Sequence, residues 1–198
     1  MIDGPQSKVT ALLAQARRGD SSALQRLFPL VYDELLGIAR IQRRRQARHE
    51  TLNTTALVHE AFIRLIGQEK LELTDHAHFM AVAAIAMRQI LIDYARRRGA
   101  AKRGGGAETV SFEEIEVALE NETGFSDAKA DALVMLDLAL TRLQAQSARQ
   151  SRIVECRFFG GMSIEETALA LDISPATVKR DWAMAQEWLY REMRKELR

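Results

Sequence analysis

Apolar residues recur three and four positions apart in one stretch after another, a spacing that leaves the chain little to form besides helices. Leu24, Leu27, Phe28, Val31, Tyr32, Leu35 and Ile38 mark one such face. Leu57, Val58, Ala61, Phe62, Leu65 and Ile66 mark a second, and Phe79, Val82, Ile85, Ala86, Ile90 and Tyr94 a third. A shorter leading helix carries Val9, Leu12, Leu13 and Ala16. Composition agrees: helix formers dominate, β-branched runs are scarce and there are only 3 prolines in 198 residues. The expectation is an all-α protein whose first four helices form a bundle over residues 1–100.

The pattern then breaks. Residues 99–107 hold four glycines and two cations, and residues 108–122 hold six glutamates with no Lys or Arg. Such a stretch has too few apolar groups to build a core and reads as an acidic flexible linker, placed at 101–126. Helical spacing resumes with Leu133, Leu136, Leu140, Leu143, Ile153, Val154 and Phe158, so residues 127–198 form a second small helical domain.

The balance of 28 basic against 27 acidic residues hides this division. Arg40, Arg43, Arg44, Arg45 and Arg48 cluster at one helix end. Arg88, Arg96, Arg97, Arg98, Lys102 and Arg103 line the last helix of the first domain. Neutrality therefore comes from basic stripes offset by an acidic linker. The lone Cys156 can form no internal disulfide and supplies no metal-ligand set, which favours a reducing compartment. Neither a signal peptide nor a run of the roughly 20 apolar residues a membrane span needs is evident, and a cytoplasmic protein without membrane contact is expected. No cofactor is implied. His76 and His78 have no further His or Cys at ligand spacing, and His59-Glu60 lacks the second histidine of a zinc-protease motif because position 63 is Ile63. The chain also has no Gly-rich phosphate loop and no nucleophile with an obvious base, so it does not read as an enzyme.

The strongest local signal is GGMSIEETALALDISPATVKRD at residues 160–181. Ser163 with Glu166 is a capping box that opens a short helix with Ile164, Thr167, Ala168 and Leu171 inward. Asp172-Ile173 makes a tight turn, and Ser174 caps a second helix with Pro175 in its first position, where a missing N–H costs nothing. This is a helix-turn-helix. Val178, Trp182, Ala185 and Leu189 space its inner face, which leaves Thr177, Lys179 and Arg180 near the N-terminal end that enters the major groove in such motifs.

Taken with two further stretches, the chain resembles a bacterial RNA polymerase sigma factor of the extracytoplasmic-function (ECF) group over almost its whole length. Residues 160–181 resemble the part that reads the −35 promoter element, which implies DNA contacts from Ser174, Thr177, Lys179 and Arg180. TALVHEAFIRL at residues 55–65 resembles the core-polymerase-binding helix, implying that Asn53, Leu57, Glu60, Phe62 and Arg64 meet the polymerase. HFMAVAAIAMRQILIDYARRRGAAKR at residues 78–103 resembles the segment that melts and reads the −10 element. On that helix Arg88, Gln89, Asp93, Arg96 and Arg97 project from one side. Arg and Gln can bond base edges and phosphates, while Asp93 is better suited to orienting an arginine. If the family mechanism holds, residues 74–78 receive an unstacked base, with His76, His78 and Phe79 offering polar or stacking contacts. The implied partners are core RNA polymerase, through its clamp and flap, and promoter DNA; the residues leave open whether an anti-sigma protein also binds.

Two departures from the family pattern carry information. Members commonly have several acidic residues at the start of the core-binding helix, where this chain has Asn53, Thr54, Thr55 and Ala56 and keeps only Glu60. Polymerase binding by the unmodified chain is then expected to be weak. Phosphorylation of Thr51, Thr54 or Thr55 by a Ser/Thr kinase would add about −1.5 to −2 charge at a helix N-terminus, where the dipole favours an anion. Thr51 stands first among them because Arg48 and Arg45 precede it; capping the helix is the competing role for these threonines. The second departure is Asp181, Met184 and Gln186, which stand where arginines are frequent and reduce non-specific phosphate attraction. The alternative to a sigma factor is a stand-alone helix-turn-helix transcription regulator, which would bind duplex operator without polymerase.

Overall fold

The computed structural model describes residues 5–18, 20–44, 54–66, 74–101 and 127–195. Eight α-helices and no strand occur among them, as the spacing requires. The helices are α1 (Pro5–Arg17), α2 (Ser21–Arg44), α3 (Thr54–Ile66), α4 (His76–Ala101), α5 (Asp127–Gln146), α6 (Ala148–Val154), α7 (Ile164–Ala170) and α8 (Pro175–Lys195), with a π-helical turn Glu155–Phe159 extending α6. The expected linker lies outside the described residues.

Among the described side chains the predicted inner faces are buried or half-buried. Leu27, Val31 and Leu35 of α2 meet Val58, Ala61 and Leu65 of α3 in a core that also takes Val9 and Leu13 of α1. An edge-to-face group of Phe28, Tyr32, His59 and Phe62, with ring centroids 4.6–5.4 Å from Phe28, closes α2 on α3. Leu133, Leu136, Leu140 and Leu143 of α5 pack with Ala185, Leu189 and Met193 of α8.

These two sets of helices pack against each other. One continuous cluster of buried residues runs from Val9 to Met193, and α4 packs on α5 more extensively than any other pair of helices meets. The reason is written into α4. Phe79, Val82, Ala83, Ala86, Met87 and Ile90 join the main core, while Ala81 joins a smaller cluster with Cys156 and Met162, and Ala84 abuts Gly160. A helix with apolar residues on more than one side must be covered on each of those sides. Helices α1–α3 cover only part of α4, and the C-terminal helices cover the rest.

Gly160 marks the closest approach. A methyl group there would lie 2.6 Å from the Cys156 carbonyl oxygen and 2.8 Å from the Ala84 Cβ. Gly160→Ala is expected to lose about 1–3 kcal/mol in urea denaturation, the cost of overpacking a tight contact. Ala84→Gly should recover only part of it, because the carbonyl contact stays; an unchanged midpoint in Gly160→Ala would contradict the packing.

Candidate nucleic-acid and polymerase interface

The helix-turn-helix is built by local hydrogen bonds. The Ser163 hydroxyl accepts from the Glu166 N–H at 3.1 Å, and the Glu166 carboxylate accepts from the Ser163 N–H at 2.7 Å, which completes the capping box. Helix α7 then stops in a Schellman turn: the Ile173 N–H donates to the Ala168 carbonyl at 3.0 Å and the Asp172 N–H to the Leu169 carbonyl at 3.4 Å. Asp172 takes the left-handed conformation that the turn demands, with φ 52°. Ser174 caps α8 by accepting from the Thr177 N–H at 3.1 Å. Ile153, Ala168 and Val178 close the small core between α6, α7 and α8, and the Arg157 guanidinium lies over the Trp182 ring at 5.4 Å while donating to the Met162 carbonyl.

On this frame Ser174, Lys179 and Arg180 are exposed at the N-terminal end of α8, and Thr177 is half-buried with its hydroxyl 2.9 Å from that of Ser174. Asp181 differs from its sequence-based reading. It is 2% exposed and accepts from Arg149 of α6 at 2.6 Å, so it braces the motif from behind. Its second oxygen accepts from Arg180 at 3.2 Å, which ties one outward cation to the brace. Met184 is exposed.

The polar residues of α4 do not share one solvent face. Gln89 and Arg97 are exposed. Arg88 is only 8% exposed and points at the C-terminal helices, donating to Asp137 at 2.7 and 3.0 Å and to Glu155 at 2.6 Å. Arg96 donates to the other Asp137 oxygen at 2.9 Å. Asp93 accepts from Arg64 of α3 at 2.8 Å. Asp137 and Glu155 were invisible to sequence reasoning as partners, because they lie 49 and 67 residues from Arg88.

The start of α4 is also internally bonded. Asp75 accepts the His78 N–H at 2.9 Å, which holds its carboxyl below the ordinary value, and His78 contacts the Thr74 hydroxyl at 3.2 Å. His76 is half-buried against Glu34 of α2 at 2.6 Å, and Thr10 of α1 accepts its N–H. Phe79 is fully buried and offers no ring to a base in this arrangement.

In α3 the described side chains divide in the same way. Phe62 is buried under Phe28, whereas Glu60 and Arg64 are half-buried and paired at 2.8 Å. Ile63 is 62% exposed, an outward apolar residue that the sequence reading did not single out. Asn53 and Thr51 lie outside the described residues; Thr54 and Thr55 are the first two residues of α3, and Leu57 follows within its first turn. That turn contains no acidic residue.

A model of the ECF sigma factor family matches residues 6–195. The chain belongs to the ECF sigma factor family. A comparison with curated proteins gives no match. Sigma factors of this family are alternative, non-catalytic initiation factors whose partners are core RNA polymerase and promoter DNA. No helix among the described residues of this sigma factor is long and apolar enough to cross a membrane. Its thiol at Cys156 is buried and pushed up to about 12 by desolvation, which leaves it unreactive.

The His76–Glu34 pair gives the sigma factor a pH-dependent clasp between α2 and α4. The hydrogen bond to Glu34 raises the His76 value above its ordinary 6.5 against the effect of burial, and Glu166 of α7 adds a smaller push in the same direction. A raised value means that the stabilisation is whole below pH 6.5 and fades as pH climbs through the folded-state value. Glu34→Gln should therefore cost about 0.5–1 kcal/mol at pH 5.5, the size of a partly exposed pair, and progressively less in alkaline buffer. Urea titrations across that range check it, and a difference that grows with pH would refute the clasp.

Proposed function

We propose that this protein is an alternative sigma factor in which residues 1–100 bind core polymerase and open the −10 element, residues 127–198 read the −35 element, and residues 101–126 tether the two. What carries the reading is the N-terminal end of α8. Ser174, Lys179 and Arg180 are exposed on a helix whose entry, turn and inner face are each fixed by their own bonds, the arrangement a reading helix needs to enter a major groove. Lys179 and Arg180 supply phosphate and base-edge donors, and Ser174 and Thr177 supply shorter polar contacts. On α4, Gln89 and Arg97 are the accessible −10 candidates, with Arg88 and Arg96 joining them when free of Asp137. His76 and His78 stand at the start of the same helix, where the resemblance puts an unstacked base. Polymerase contact falls to the outer side of α3, where Glu60 and Arg64 lie, together with Asn53 and Leu57 at its start; Phe62 supports that face from beneath.

Threonine phosphorylation is the second part of the proposal. The first turn of α3 contains no acid, so the helix end that would meet basic polymerase groups lacks the charge to attract them. A phosphate on Thr51, Thr54 or Thr55 restores it, and Thr51 is the first choice because Arg45 and Arg48 precede it. A Ser/Thr kinase is then a required partner.

Run-off transcription with core polymerase and genomic fragments tests the first part: promoter-specific transcripts should appear only when the protein is added. Pull-down of polymerase with wild type and Thr51→Ala, each before and after treatment with the kinase, tests the second. Phosphorylated wild type should bind at least about tenfold more tightly than either unmodified protein. Strong binding by unphosphorylated wild type would overturn the regulatory part while leaving the sigma activity intact.

A further inference from the structure

The outermost line of α8 runs through Ala176, Arg180 and Ala183, spaced four and three residues apart and all exposed, with the exposed Met184 beside them. Arg180 is the one member of this group whose side chain donates hydrogen bonds. Of the two outward cations, Lys179 and Arg180, it is also the one held in place. Its Nε donates to Asp181 Oδ1 at 3.2 Å, yet its side chain stays 63% exposed, so the bond steadies the guanidinium without withdrawing it. Asp181 has no freedom of its own: it is 2% exposed, and its other oxygen accepts from Arg149 Nε of α6 at 2.6 Å. Two guanidinium groups share this one carboxylate, so the group as a whole keeps a positive charge toward DNA. Lys179 is exposed and has no such support among the described residues.

We propose that Arg180 reads a guanine of the −35 element through its two terminal nitrogens, that Asp181 is its positioning residue, and that Lys179 adds charge without sequence preference. The proposal deepens the reading of α8 as the −35 helix and rests on it. A bond at Nε leaves Nη1 and Nη2 as a planar fork, and guanine is the base whose major-groove edge offers two neighbouring acceptors, O6 and N7, to such a fork. Adenine sets an amino donor beside its N7, which would meet an N–H of the same arginine, and cytosine presents a donor alone. A long side chain gives up rotamer freedom when it docks, and the contact with Asp181 settles part of that loss before DNA arrives. Asp181 is thereby more than an arginine missing from the family pattern. It trades a phosphate contact that carries no sequence information for a steadied base contact by its neighbour. Lys179, a compact charge on a flexible stem, is suited to phosphates instead.

The test is competition among promoters randomised across the −35 element for holoenzyme made from core polymerase and the full chain, in the form that supports run-off transcription. Wild type should select a guanine at one position, preferring it over adenine by about tenfold or more. Arg180→Lys, which keeps the charge at an exposed position, should lose that preference while the salt dependence of binding stays the same. Lys179→Ala should do the reverse, weakening binding to every sequence alike. Asp181→Asn separates positioning from structure. A positioning role lowers the guanine-to-adenine ratio severalfold, whereas a merely structural role lowers all affinities together, and an unchanged ratio would overturn that part. A base analogue covers the case in which this variant does not fold: 7-deazaguanine at the selected position removes the N7 acceptor and should weaken wild type severalfold but Arg180→Lys little. An element without guanine, a wild type indifferent to the analogue, or a guanine preference that survives Arg180→Lys would overturn the assignment of Arg180 and leave α8 as the −35 helix. Selection of no base anywhere in that element would instead overturn the reading of α8 itself.

Discussion

Everything in this structure depends on α4 being apolar on more sides than one bundle can cover. Its Phe79, Val82, Ala86 and Ile90 enter the main core, and Ala81 and Ala84 would be left facing water if α1–α3 were its only neighbours. The C-terminal helices remove that exposure, and their approach is close because the contact residues are small. From this one demand follow the continuous core, the packing of α4 on α5 and the burial of Arg88 among acids.

The ion pairs around α4 serve orientation more than stability. Arg88 meets Asp137 and Glu155 at distances that leave its nitrogens little unused, and Arg64 joins α3 to α4 through Asp93. Such pairs contribute modestly to folding after desolvation but penalise every arrangement that leaves one partner alone. They select one docking geometry from the many a small apolar patch allows.

The parts of the molecule legible in the sequence are those encoded locally. Ser163 with Glu166, the turn at Asp172 and Ser174 before Pro175 all act within five residues, and the helix-turn-helix was readable from them down to its inner and outer faces. The inner faces of α2, α3 and α5 followed from spacing alone. The readings that changed involve partners far along the chain. Arg88 looked like one of five groups on an open face because nothing near it marks Asp137 or Glu155 as its acceptors. Asp181 was read only as the absence of an arginine, because its counterion, Arg149, lies 32 residues earlier. Phe62 and Phe79, which the spacing placed on inner faces, are buried there, so the contacts that the resemblance implied for them are covered in this arrangement. The one clue available was that α4 has more apolar positions than a single buried stripe uses, which already called for a second covering surface.

The central claim is that the C-terminal helices cover the side of α4 that α1–α3 leave open. Hydrogen exchange across residues 133–162 addresses it directly, because this stretch includes the covering surface. Slow exchange there in wild type, distinctly faster in Gly160→Ala, is the predicted result. Exchange that is already fast in wild type would contradict it.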